Sequence, residues 1–202
     1  LFNRPLSPQF NFIFFLGFIL SLLCWENTPT RARTVIVGLM FGMLFHVYTY
    51  YWTYGAVFFA LFMAGLFVTR KWQSLKQIFF AAGIAAVIAV PYIYQLVRSF
   101  DYEFYQETVR RVGMIETHMP SCVYIVGLAL LFFVFLLILL FTKKITLDGK
   151  TLLVTSMVLA APIVTNQHVI TGGNLEFSSH YRWLATFVSV FGCGFLLGQW
   201  LH

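Results

Sequence analysis

The stretch TVIVGLMFGMLFHVYTYYWTYGAVFFALFMAGLFVT, residues 34–69, has no charged residue over its 36 positions. As one helix it would be roughly 54 Å long at 1.5 Å per residue, far more than the hydrocarbon core of a bilayer needs. An aromatic cluster, YTYYWTYG from Tyr48 to Gly55, interrupts the run near its middle. We therefore expect two short helices joined by a tight reversal rich in interfacial tyrosine and tryptophan.

The positions of lysine and arginine test this split, because basic residues concentrate on the inner side of a membrane. With the split, eight basic residues fall on one side and five on the other, whereas without it the division is six against seven. The eight predicted to lie inside are Arg31, Arg33, Arg70, Lys71, Lys76, Lys143, Lys144 and Lys150, and the five outside are Arg4, Arg98, Arg110, Arg111 and Arg182. The split is therefore favoured.

The composition identifies the class of protein. Hydrophobic residues make up 60% of the chain and charged residues only 10%, against roughly 25% charged residues in soluble domains. A formal charge of +6 is compatible with nucleic-acid binding, but basic residues scattered over short loops are better explained as signals of membrane orientation. The sequence predicts an integral, multi-pass membrane protein that contacts lipid and no nucleic acid.

The remaining apolar runs complete an all-α architecture of about seven transmembrane helices, in one domain over residues 1–202. The seven predicted spans are Phe10 to Trp25, two from the divided run, Gln77 to Val97, Cys122 to Phe141, Thr151 to Val164 and Trp183 to Trp200. Pro91 is expected to kink the fourth span. Because the chain begins at Leu1 without a signal peptide, we expect a fragment of a longer protein.

Two polar stretches, residues 99–121 and 165–182, are predicted to be outer loops. The first, SFDYEFYQETVRRVGMIETHMPS, spaces its apolar residues in a loosely helical pattern, which predicts an outer amphipathic helix. Five of the seven acidic residues of the chain lie on this outer side: Asp101, Glu103, Glu107, Glu116 and Glu176. The outer side is therefore where we expect the chemistry.

The second stretch, TNQHVITGGNLEFSSHYR, contains the principal candidate site. Groups that can bind phosphate and sugar hydroxyls or position a proton are Gln167, His168, Thr171, Glu176, His180 and Arg182. A solvated connector is the alternative interpretation. A metal site is disfavoured because His168 and His180 are twelve residues apart, without the close spacing of a metal motif.

Further candidates each have a structural alternative. Arg110 and Arg111 could hold a lipid phosphate through bidentate hydrogen bonds, or could pair with acids such as Glu107 on a surface helix. The aromatic cluster at Tyr48 could stack on a sugar, although an aromatic belt at the membrane surface needs no ligand. His46 is better explained as an interfacial histidine than as a haem ligand.

Two of these stretches together resemble glycosyltransferases of the GT-C class. FGMLFHVYTYYWTYGAVFFALFMAGLF resembles a membrane hairpin of these proteins, and TNQHVITGGNLEFSSHYRW resembles the Asn-Gln-Gln-x-x-Thr-Gly-Arg…His-Tyr pattern of a late outer loop. The matching residues are Asn166, Gln167, Thr171, Gly172, His180 and Tyr181. His168 replaces the second Gln, and Gly173 stands where the pattern has Arg.

The resemblance implies transfer of a sugar from a polyprenyl-phosphate donor at the outer face of the membrane. We expect the membrane to be a bacterial cytoplasmic membrane, and we expect no cofactor or metal. The resemblance places the catalytic base on an acidic residue of the first outer loop, upstream of Leu1. A transporter or a non-catalytic subunit of a membrane complex is the alternative. No Asp, Glu, Lys or Arg lies in the middle of a predicted span, which weakens the transporter hypothesis.

Overall fold

The computed structural model describes residues 8–105, 107, 115–116, 118–120, 123–171, 173–174 and 178–201. Within these ranges the helices are α1 (Pro8–Asn27), α2 (Arg31–Val47), α3 (Thr49–Val68), α4 (Trp72–Ser99), α5 (Val123–Phe141), α6 (Gly149–Thr165), α7 (His168–Thr171) and α8 (Ser178–Leu201). Two short strands, β1 (Ile115–Glu116) and β2 (Gly173–Asn174), pair antiparallel. The contacts divide the chain into two units, Leu1–Tyr102 and Glu103–His202, which we call unit 1 and unit 2.

Four helical segments are long and apolar enough to cross a membrane. They are Thr49–Val68, Trp72–Ser99, Tyr124–Phe141 and Tyr181–Leu201. Asn11–Asn27 and Gly149–Thr165 are also apolar but shorter. The helical class is as predicted from the sequence, and these four segments indicate a membrane protein surrounded by lipid.

The uncharged run breaks into two helices, as predicted. Helix α2 ends at Val47, Tyr48 has an extended backbone with φ −161°, and α3 begins at Thr49. Phe45 stacks on Trp52 with ring centroids 4.7 Å apart, which brings the two helices back alongside each other in antiparallel directions. Burial, together with the neighbouring tyrosines, raises the pKa of Tyr48 well above its usual value, so its hydroxyl remains a neutral hydrogen-bonding group.

Unit 1 is held together by a close approach of α2 and α4, which run parallel. A Cβ atom added to Gly38 would lie 2.7 Å from the carbonyl oxygen of Ala81, and one added to Gly42 would lie 2.7 Å from Cβ of Ile88. The buried small residues of α4 are Ala81, Ala85 and Ala89. Glycines four residues apart on one helix, against Ala81, Ile84 and Ile88 of another, allow the close contact by which membrane helices associate.

Aromatic side chains fill the space among α1, α2 and α3. Phe18 stacks on Phe41 with centroids 5.2 Å apart, and Phe15 meets Tyr54 edge to face at 5.7 Å. Tyr51 and Tyr54, two members of the aromatic cluster, are buried in this packing. Their rings therefore contribute to the core of unit 1 rather than to an exposed platform.

A polar contact joins α1, α2 and α4 near the basic end of unit 1. The indole N–H of Trp25 lies 3.1 Å from the hydroxyl of Thr34 and 3.0 Å from the amide oxygen of Gln77. The Thr34 hydroxyl also lies within 3.3 Å of that Gln77 oxygen, and 2.9 Å from the carbonyl of Thr30. These bonds give three buried or half-buried polar groups a partner inside the protein, which an apolar environment requires.

His46 lies at the opposite end of unit 1. Its Nε2 atom is 2.8 Å from the carbonyl oxygen of Ile88, and its ring is perpendicular to that of Tyr92. Pro91, whose position predicted a kink, lies inside α4 and contributes no backbone N–H to the helix. The bond from His46 therefore supplies a donor to α4 close to the proline, and the histidine packs with aromatic residues as predicted.

Unit 2 consists mainly of α5, α6 and α8, packed around Phe132, Val158 and Leu196. A Cβ atom at Gly192 would lie 2.6 Å from Val158, so α6 and α8 are also in close contact. The predicted helix over residues 99–121 is wrong at residues 115 and 116, which form β1. Residues 101–104 form turns, and residues 108–114 lie outside the described part of the chain.

We predict that replacing glycine by alanine has different effects on stability at two positions of unit 1. Gly42→Ala should destabilise the protein by about 1–3 kcal/mol, because the new methyl group overlaps Ile88. Gly83→Ala is the matched control. It lies in α4 with no atom within 4 Å of the new Cβ, so it should be neutral or stabilising by up to about 1 kcal/mol. Thermal unfolding in detergent measures both, and equal effects would contradict the proposed packing.

Candidate functional site

Two polar stretches meet at one end of unit 2. Helix α6 ends there, α5 and α8 begin there, and the lysine-rich turn between α5 and α6 lies at the other end. Strand β1 of the first stretch pairs with β2 of the second, with Ile115 opposite Asn174 and Glu116 opposite Gly173. The sequence could not show whether the two stretches form one site. The structure brings them into contact, and we call this region the polar junction.

A hydrogen bond from His168 connects the second stretch to the first. Its side chain is 0% exposed, and its Nε2 atom lies 2.8 Å from the carbonyl oxygen of Met119. Because a carbonyl only accepts hydrogen bonds, Nε2 is the donor in this contact. The Nδ1 atom of the ring is buried and has no hydrogen-bond partner among the described residues.

A second histidine makes the reciprocal contact. Nδ1 of His118 lies 3.0 Å from the carbonyl oxygen of Val169, in the helical turn that His168 begins. The two bonds run in opposite directions between residues 118–119 and residues 168–169. Together with the strand pair, they fix the separation of the two stretches, because each histidine bonds to backbone rather than to a mobile side chain.

The end of α6 is closed by side chains of the second stretch. Thr165 donates its hydroxyl to the carbonyl of Ala161 at 2.8 Å, and the Asn166 side-chain amide donates to the carbonyl of Pro162 at 3.0 Å. The backbone N–H of Asn166 also donates to the Pro162 carbonyl, at 3.2 Å, so the side chains add second hydrogen bonds to carbonyl groups of the last turn. The polar junction therefore starts from a fixed helix end.

An open apolar groove adjoins the polar junction. Its volume is about 360 Å³. The groove is lined by Pro120 and Val126 on one side and by Pro162, Ile163, Asn166, Val169 and Ile170 on the other. Since Pro120 follows Met119 and Asn166 precedes His168, the groove and the polar junction share the same two chain segments. An apolar surface thus lies directly beside hydrogen-bonding groups.

The candidate residues of the second stretch occupy different environments. Gln167 is half-buried and His168 fully buried, whereas Arg182 is exposed near the start of α8. Thr171 lies in α7 and His180 in the first turn of α8, placed by their backbone. Glu176, Arg110 and Arg111 lie outside the described residues.

No family model, curated protein or solved structure matches this chain.

Over the described ranges, no three His, Cys, Asp or Glu side chains come together as a metal-binding group. The available groups are instead hydrogen-bond donors and acceptors beside an apolar surface. Such a combination suits an amphiphile, whose chain lies against the apolar residues while its polar end meets the hydrogen-bonding groups.

Sequence reasoning missed His118, Met119 and Pro120. The only signal was their position immediately before the most apolar span, which placed them at the same membrane surface as the second stretch. Their contribution depends on a backbone carbonyl and a proline ring, and neither has a recognisable sequence pattern. The tertiary contact with α7 was needed to identify them.

We predict that His168→Phe releases the first stretch. The substitution keeps an aromatic ring but removes the hydrogen bond from the buried imidazole to the Met119 carbonyl, at a cost of about 1–3 kcal/mol. Hydrogen exchange of peptides covering residues 115–120 should become faster, while exchange in α5 and α6 stays the same. The comparison variant is His118→Phe, whose ring is exposed and whose loss should cost about 0.5–1.5 kcal/mol. Unchanged exchange in the His168 variant would show that the junction does not depend on this bond.

Proposed function

We propose that this chain is part of an integral-membrane glycosyltransferase-like protein that takes a sugar from a polyprenyl-phosphate donor. The observation that carries the proposal is the apolar groove of about 360 Å³ beside the polar junction. The donor is itself divided into a long apolar chain, a charged phosphate and a polar sugar. A binding site for this donor needs an apolar surface next to a surface with hydrogen-bonding groups.

In this proposal the groove receives the part of the polyprenyl chain nearest the phosphate. Its lining is almost wholly aliphatic or proline, and Ile170 and Ile163 are exposed to the surroundings of the protein. A chain entering the groove from the membrane stays in apolar surroundings along its path. The two prolines, Pro120 and Pro162, hold opposite sides of the groove in a fixed backbone conformation.

The polar groups have separate roles. Arg182, exposed near the start of α8, is suited to bind a phosphate oxygen through its guanidinium group. Gln167, Thr171, Glu176 and His180 contribute hydrogen bonds to the sugar or the acceptor, and Arg110 and Arg111 contribute to phosphate binding. His168 is a positioning residue, because its ring is buried and bonded to the backbone of the other stretch.

The proposed topology is the one that the basic residues favour. It has seven spans, with the short helices α2 and α6 crossing beside longer neighbours, the polar junction outside and the lysine-rich turn between α5 and α6 inside. The catalytic base is a carboxylate of the first outer loop of the whole protein. The membrane is the bacterial cytoplasmic membrane, which contains polyprenyl-phosphate sugars.

We predict that His180→Ala, made in the full-length protein, lowers sugar transfer at least about tenfold, which corresponds to losing roughly 1.4 kcal/mol of transition-state stabilisation. The assay uses membranes and a radiolabelled polyprenyl-phosphate sugar. Gln199→Ala is the control, since Gln199 is exposed at the far end of α8 and should retain full transfer. Full transfer by folded His180→Ala protein would count against this assignment, and absence of transfer by the unmodified protein would favour a transporter or subunit.

We also predict that Ile170→Asn raises the KM for a long-chain donor by about tenfold, because a polar amide replaces an apolar contact in the groove. The kcat should change little, since Ile170 does not touch the reacting atoms in this proposal. Ile170→Leu conserves the apolar surface and should leave KM within about twofold. Equal KM values for the Asn and Leu variants would exclude the groove as the site of the lipid chain.

A further inference from the structure

Two turns, one in each unit, have the same sequence pattern and the same backbone geometry. They are Thr69–Arg70–Lys71, after α3, and Thr142–Lys143–Lys144, after α5. Each follows one of the helices that are long and apolar enough to cross a membrane. We call them the basic turns.

The backbone hydrogen bonds of the basic turns agree to within 0.1 Å. In the first, Arg70 N donates to Phe67 O at 3.0 Å and Lys71 N donates to Leu66 O at 2.9 Å. In the second, the bonds from Lys143 N to Leu140 O and from Lys144 N to Leu139 O have the same two lengths. This is the Schellman pattern, in which the two residues after a helix return to its last carbonyl groups.

The side chains of the two threonines also make equivalent hydrogen bonds. The Thr69 hydroxyl lies 2.7 Å from the carbonyl of Gly65, and the Thr142 hydroxyl lies 2.7 Å from the carbonyl of Ile138. Each hydroxyl is a second donor to a carbonyl that also accepts from the backbone N–H of the same threonine, at 2.9 Å in both turns. Each turn is therefore a well-determined structure rather than an irregular loop.

The residue at the centre of each turn is unusual for its conformation. Arg70 has φ 57° and Lys143 has φ 55°, and they are the two non-glycine residues with positive φ within the described ranges. Glycine strongly prevails at this position, because a side chain is disfavoured in the left-handed region. If only the stability of the turn mattered, glycine would be favoured at both positions. The presence of Arg70 and Lys143 there therefore requires another explanation.

The surroundings of the basic turns indicate what the side chains contact. None of the four cations Arg70, Lys71, Lys143 and Lys144 has an ion pair within the described part of the chain. Asp148, the acidic residue nearest to the second turn, accepts a hydrogen bond from the backbone of Thr151 as a helix cap. Large apolar side chains are exposed beside the turns, namely Phe67, Val68, Trp72 and Phe141.

We propose that the two basic turns bind the phosphate headgroups of anionic lipids in the inner leaflet. The exposed apolar side chains would lie in the acyl region, and the cations just beyond them would meet headgroup phosphates. The cations also lie at helix C-termini, where their charge is favourable even before lipid binds. This lipid contact is independent of the sugar transfer proposed above.

The test replaces the central cations with the residue that the turn itself prefers. Purified full chain in detergent is titrated with phosphatidylglycerol or phosphatidylcholine of equal chain length, and native mass spectrometry measures the affinity for each. Arg70→Gly with Lys143→Gly should lower phosphatidylglycerol affinity roughly fivefold at each turn, the effect of one cation near an anionic surface. Thermal stability in phosphatidylcholine should stay equal or increase, because glycine relieves the positive φ.

Two further variants complete the comparison. Arg70→Lys with Lys143→Arg retains both charges and should keep the preference for phosphatidylglycerol. If the glycine variant does not fold, Arg70→Asn with Lys143→Asn removes the charges with another residue that tolerates positive φ.

An unchanged preference for phosphatidylglycerol in the glycine or asparagine variant would overturn the proposal and leave the basic turns as helix caps. Competition by free inorganic phosphate at the same concentration as the lipid would also overturn it, because the site would then recognise an anion without its membrane. Either result can be obtained whether or not the protein transfers a sugar.

Discussion

The requirement that backbone polar groups find partners inside the protein governs this structure. An apolar environment offers no water to a free N–H or C=O group, so a chain of this composition forms helices and closes their ends with its own side chains. Thr30 accepts from the backbone of Arg33 at the start of α2, and Asp148 does the same for Thr151 at the start of α6. The Arg33 guanidinium contacts the carbonyl of Cys24 at 2.6 Å, which closes the end of α1.

Helix packing in each unit follows from side-chain size more than from apolar character, since apolar residues face every direction on these helices. The close contacts occur where glycine removes a side chain, at Gly38 and Gly42 in unit 1 and at Gly192 in unit 2. Aromatic rings then fill the wider spaces, as Phe18 does between α1 and α2. Polar contacts such as that of Trp25 with Gln77 fix which helices are neighbours, because a wrong pairing would leave these groups buried without partners.

The polar junction uses the same requirement to connect separate parts of the chain. His168 and His118 donate to backbone carbonyls of each other's segments, and β1 pairs with β2. These contacts give backbone carbonyls of residues 119 and 169 partners inside the protein. An apolar groove lies beside the junction, and the combination supports the proposed binding of a lipid-linked substrate.

The sequence by itself determined the helical class, the membrane character and the break near Tyr48, because these follow from hydropathy, charge and aromatic content along the chain. It also predicted that residues 165–182 contain the principal candidate site. Only the tertiary structure decided that residues 115–116 form a strand, that Tyr51 and Tyr54 are core residues, and that His168 is buried against Met119. The physical reason is that strand pairing and burial depend on which distant segment lies opposite, and a local pattern contains no information about that partner.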